Sequence, residues 1–248
     1  MNNVAMENDD CIDILDIEAF RSARLSTQEE KQMAARSGMY ALLADLFRYP
    51  DEGFREFVKT GGLQAAFTAM AEDLPFDLAV SQVEKDNLVF SPELGDDDIE
   101  AGFIRIFEAG PGDPACPLVE GKHVKDSNRR AIFEDLIRFY NHFGLSYDAG
   151  SHEDRADHLS YEMEFMHYLA FLTLRAIQSG KTTHDLLLAQ RDFLKHHLLK
   201  WADPLADRMR EIASEVDDDY VGLFYSNCSA LVARYVSNDY RYLGDCLD

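Results

Sequence analysis

The chain has 248 residues, 46 % of them hydrophobic, which is enough for one sizeable core and makes a second domain unnecessary. With 46 Asp and Glu against 24 Lys and Arg, its formal charge is −22. Such a surface repels phosphate backbones and anionic headgroups and favours a cationic or basic-peptide partner, so nucleic-acid binding is excluded as a working function. The start, MNNVAMENDDCIDILDIEAF, carries acids where a secretory signal needs basic residues. No stretch reaches about 18 uninterrupted apolar residues, so a cytoplasmic protein without membrane insertion is expected. Cys11, Cys116, Cys228 and Cys246 form no CxxC pair, which leaves them as reduced, incidental thiols.

Residues 1–25 are acidic and weakly periodic and are expected to be a mobile tail; the folded domain is expected over 26–243. Thr27 and Glu30 form a capping-box signature, followed by a helical stripe of Met39, Leu42, Leu43, Leu46 and Phe47 that Pro50 closes. Leu63, Phe67, Met70 and Leu74 repeat that period, as do Ile99, Phe103, Ile106 and Phe107 after the acidic start Asp96-Asp97-Asp98. The segment from Gly110 to Lys122 holds three prolines and three glycines and cannot be helical throughout. Ile132, Phe133, Leu136, Ile137, Tyr140 and Phe143 predict a helix ending at Gly144.

The next helix follows Asp157-His158. Leu159, Met163, Met166, Ala170, Thr173 and Ile177 make one stripe and Phe165, Leu169 and Leu172 a second, so this helix needs apolar contact on more than one side and is placed centrally. Leu186, Phe193, Leu194, His197, Leu198 and Trp201 carry another helix, and Asp203-Pro204 reads as the N-cap and first residue of the one after. Asp217 to Asp219 open the last, with the stripe Tyr220, Phe224, Cys228, Leu231 and Tyr235. No alternating strands occur, so the fold class is all-α, a single-domain bundle of roughly ten helices.

Few motifs carry chemistry. Ser179-Gly180-Lys181-Thr182 resembles the end of a phosphate-binding loop but lacks its leading glycine and preceding strand, so it reads as a helix connector. Arg129-Arg130 lies deep inside the chain, ahead of a helix, and reads as surface charge rather than an export signal. Glu164 and His167 form the ExxH spacing of di-iron carboxylate bundles. The other match, Glu120 with His123, falls in the Pro/Gly loop, so a di-iron oxidoreductase is the alternative to a protein without metal, cofactor or catalytic residues. Asp157-His158 has two readings. Either Asp157 caps the helix over a buried His158, or His158 and Glu162, stacked above Phe165 and Leu169 on one helical line, are part of a binding site.

Three motifs in order carry a resemblance: Tyr140, Phe143, Gly144 and Leu145; then Asp157, His158, Leu159, Glu162, Phe165 and Met166; then Phe193, Leu194, His197, Leu198 and Trp201. Together with the loop Gly110-Pro111-Gly112, Pro114 and Pro117, the chain resembles the TorD/DmsD/NarJ family of redox-enzyme maturation chaperones over roughly residues 30 to 240. One departure is Ala156, where many members have proline. The resemblance implies a cytoplasmic, non-enzymatic, all-α chaperone. Its partner would be the apo-form of the catalytic subunit of a molybdenum oxidoreductase of the DMSO-reductase type, together with that subunit's twin-arginine leader. Asp157, Glu162 and Glu153 would supply charge to the leader, beside His158, with Tyr161, Phe165, Gly110, Pro111 and Pro117 forming an apolar wall. A monomer with some domain-swapped dimer is expected. An acidic regulator of another basic partner is the remaining alternative.

Overall fold

A capping box starts α1 (Gln28–Asp45) in the computed structural model: Thr27 accepts from the Glu30 backbone N–H, and the Glu30 carboxylate takes the Thr27 N–H in return. The structure describes residues 25–91, 93–110, 112–125, 128–146, 155–215 and 219–248, so the expected tail, apart from Leu25, lies outside the described residues. Helices α2 (Glu52–Lys59), α3 (Gly62–Asp73), α4 (Gln82–Asp86) and α5 (Asp96–Phe103) follow, and α5 runs on into a π-helical turn over Ile104–Glu108. Next come α6 (Glu120–His123), α7 (Arg129–His142), α8 (Leu159–Gln178), α9 (His184–His196), α10 (Leu198–Glu215) and α11 (Tyr220–Leu247). The described residues thus form eleven α-helices and no strand, and one isolated antiparallel bridge joins Val119 to His158. The helices α4 and α6 have too few turns for an apolar stripe to show in the sequence.

Helix α8 is the central one. Leu159, Met163, Phe165, Met166, Leu169, Ala170 and Leu174 are all buried, with α1 packed along one side and α9 along another. Helices α10 and α9 close the core against α11. Gly144 and Gly180, at φ 79° and 63°, end α7 and α8 in the left-handed region that glycine reaches without strain.

Three features differ from the sequence expectation. The break between α9 and α10 falls at His197 (φ −126°, ψ −91°), whose imidazole turns inward, and not at Asp203. Pro204 instead lies inside α10, in its second turn, where it forfeits a single backbone bond. Tyr220 is 57 % exposed and leaves the stripe that Phe224, Cys228, Leu231 and Tyr235 bury. The last helix, capped by Asp219, also runs to Leu247, past the expected end at 243.

The core holds one full ion pair that the apolar pattern does not reveal. Arg36 on α1 forks onto Asp239 on α11, Nε to Oδ1 at 2.5 Å and Nη2 to Oδ2 at 2.8 Å, with both side chains fully buried. Gln190 accepts from the same Nη2, Tyr40 donates to Asp239, and Tyr242 places its ring 5.2 Å from the guanidinium. Satisfied in this way, the pair ties α1, α9 and α11 in one register.

Removing one partner strands the other charge. Asp239→Ala is expected to cost about 3–5 kcal/mol in urea unfolding, whereas Asp207→Ala, which breaks an exposed pair with Arg210, costs less than about 0.5 kcal/mol.

Candidate functional site

The Pro/Gly segment closes back on the start of α8. Glu120 N donates to the Asp157 carbonyl at 2.9 Å and Leu159 N to the Leu118 carbonyl at 3.0 Å, which makes the Val119–His158 bridge. Gly121 N reaches Asp157 Oδ2 at 3.3 Å, while Arg129 Nε donates to the Gly121 carbonyl at 3.0 Å. A side chain at residue 121 would meet Arg129 Cγ at 3.0 Å, so glycine permits this approach. From α7, Tyr140 donates its hydroxyl to the Ala156 carbonyl at 2.9 Å. Arg129, exposed as expected of a surface charge, also fastens the seam.

Asp157 is not the helix cap. That role belongs to His158, whose Nδ1 accepts from Ser160 N at 3.2 Å, so the neutral ring carries its proton on Nε2. Asp157 is 1 % exposed and takes a bidentate fork from Arg155, Nε to Oδ1 and Nη2 to Oδ2, both at 3.0 Å. Burial pushes the His158 imidazole down to about 4, against the opposing pull of Asp157, and leaves it neutral near pH 7.

Glu162, expected to supply charge, and Phe165, expected in the apolar wall, are buried as well. Their side chains face inward because the helical line from His158 runs down into the core rather than along the surface. Glu162 Oε2 accepts from Trp201 Nε1 at 3.1 Å, and its Oε1 is buried without a partner. Phe165 packs edge-on against Tyr140, Phe143 and Phe193. Nearby, His197 Nδ1 lies 2.8 Å from Glu120 Oε2, and His123 stacks on Trp201 while its Nε2 meets the Pro117 carbonyl.

What remains at the surface is a cavity of about 310 Å³ lined by Arg48, Arg155, His158, Ser160 and Tyr161. Gly110 is exposed and Pro117 half-buried, on the segment that the seam holds in place. Pro111 and Glu153, the other expected site residues, lie outside the described residues. Arg155 and Ser160 escaped the sequence reading, although Arg155 is the one Lys or Arg between Arg138 and Arg175. The ExxH residues do not converge on a metal. Glu164 pairs with Arg48, and His167 Nδ1 lies 2.9 Å from the Ser37 carbonyl. Among the described residues no three His, Cys, Asp or Glu side chains are grouped to hold a metal ion, and no helix is long and apolar enough to cross a membrane.

The family model described as nitrate reductase delta subunit matches residues 62–207, a span that contains this whole seam. The chain belongs to the TorD/DmsD/NarJ family. Members of this family are assembly chaperones in molybdoenzyme maturation, not enzymes, which sets the di-iron alternative aside. The chain is similar to the perchlorate reductase assembly chaperone protein of Dechloromonas aromatica, with 32 % identity over 82 % of this chain and 87 % of the relative. It is also similar to the selenate reductase assembly chaperone protein of Thauera selenatis, at 30 % over 68 % and 74 %, and to the chlorate reductase assembly chaperone protein of Ideonella dechloratans, at 27 % over 75 % and 81 %.

Glu162 supplies a pH test. Burial first, then the neighbouring charge of Glu120, holds its carboxyl well above the usual 4.5. Above pH 4.5 the native state therefore keeps a proton that the unfolded chain releases, and stability falls as pH rises towards the folded value. Glu162→Gln, which still accepts from Trp201, is expected to lack this contribution. Urea unfolding at successive pH values should show the wild type losing up to about 1.4 kcal/mol per pH unit relative to the variant.

Proposed function

We propose that this chain is a system-specific chaperone that binds, in the cytoplasm, the twin-arginine leader and the apo-form of a molybdenum-containing reductase catalytic subunit before cofactor insertion and export or assembly. Relatives named for assembly of perchlorate, selenate and chlorate reductases support a reductase as client. The observation that carries the site is the seam between the Pro/Gly segment and the start of α8, with its surface cavity beside Asp157.

In this reading His158, Tyr161, Gly110 and Pro117 meet the leader at the surface, beside the expected positions of Pro111 and Glu153. Asp157 supplies charge just beneath them, and Glu162 and Phe165 support the floor from inside the core. Exposed ion pairs contribute at most about 1 kcal/mol each, so affinity comes mainly from burying the leader's apolar part, while the net charge of −22 raises the on-rate.

Titration with a twin-arginine leader peptide is expected to give a dissociation constant of about micromolar or tighter, with weaker binding of the double-lysine variant and weakening by added salt. Equal binding of both peptides, or affinity indifferent to salt, contradicts this function.

A further inference from the structure

Asp157 is bonded to a residue of the cavity wall, and that residue is a guanidinium from this same chain. The Arg155 fork is the bidentate geometry an incoming arginine would adopt, with two N–H groups on two carboxylate oxygens at 3.0 Å. Its two sides differ in access: the Arg155 side chain is 45 % exposed and that of Asp157 only 2 %. Arg155 can thus move into solvent, while Asp157 stays anchored by Gly121 N and by its own carbonyl, which holds Glu120 N.

The cavity wall provides the other contacts a guanidinium requires. Ser160 is 4 % exposed and lines the cavity, and its Oγ is buried without a partner, so it is able to accept an N–H. His158 is neutral and adds no opposing charge. Tyr161 offers a ring face. Arg48, also on the wall, is neutralised by Asp45 and Glu164. The cation facing an incoming arginine is therefore Arg155 itself.

We infer that Arg155 is a built-in competitor: it holds the Asp157 carboxylate until an arginine of the client leader displaces it, and so sets the affinity for the leader. This inference rests on the leader-binding function proposed above. A competitor that occupies the site about nine-tenths of the time weakens apparent binding about tenfold. The preference for arginine comes from the fork on Asp157 itself, which a lysine cannot form.

The test is calorimetric titration of the full chain with the twin-arginine leader peptide and its double-lysine form, using wild type, Arg155→Lys, Arg155→Ala and Arg130→Gln. Arg155→Lys keeps the net charge and loses the fork, so it should bind the twin-arginine peptide about tenfold more tightly, with less than about a twofold change for the double-lysine peptide. Arg155→Ala should tighten binding at least as much. Arg130→Gln, which removes an exposed cation on α7, should change binding by less than about twofold. Should Arg155→Ala fail to fold, Arg155→Lys decides alone. Unchanged or weaker twin-arginine binding by Arg155→Lys, with the wild type still preferring arginine, overturns this inference alone. A wild type that binds both peptides equally overturns the leader reading and this inference with it.

Discussion

The bridge between Val119 and His158 is the contact on which the rest of the site depends. Two backbone hydrogen bonds, Glu120 to Asp157 and Leu159 to Leu118, join an irregular segment to the first turn of the central helix. Because α8 is buried along several stripes, it cannot shift without disturbing the core, so the Pro/Gly segment inherits a fixed position. Arg129 and Tyr140 from α7, with Gly121 from α6, then fasten the same junction. Cys116 N on the Ile106 carbonyl and Arg208 Nε on the Ala115 carbonyl tie the segment to the rest of the core, and the bridge sets where it lies against His158.

The distribution of charge is less simple than the total of −22 implies. Asp157, Glu120 and Glu162, the carboxylates at the seam and just beneath it, are interior, while arginines stand at the cavity mouth. In the proposed function, long-range attraction for a basic leader belongs to the whole surface, and short-range selection to Asp157, whose charge is screened less because it lies in a low dielectric.

Helix positions were legible where a stripe was long. The capping box at Thr27, the glycine stops at Gly144 and Gly180 and the double stripe of α8 were all visible in the sequence. Pro204 misled because a proline in the second turn of a helix has the same local pattern as one at its start. The Arg36–Asp239 pair was invisible since its partners lie on opposite ends of the chain. At the site, the Asp157-His158 motif was found, but its orientation was not. Whether a carboxylate faces solvent or a neighbouring N–H depends on residues such as Gly121 and Arg155, and no single-helix periodicity encodes them.

The most direct measurement of the central claim is hydrogen exchange along the chain with and without a twin-arginine leader peptide. Slower exchange is expected to concentrate in residues 112–125 and 155–162, the two sides of the seam. Protection confined to other surfaces, such as the exposed start of α11 around Tyr220 and Leu223, with the seam unchanged, would contradict it.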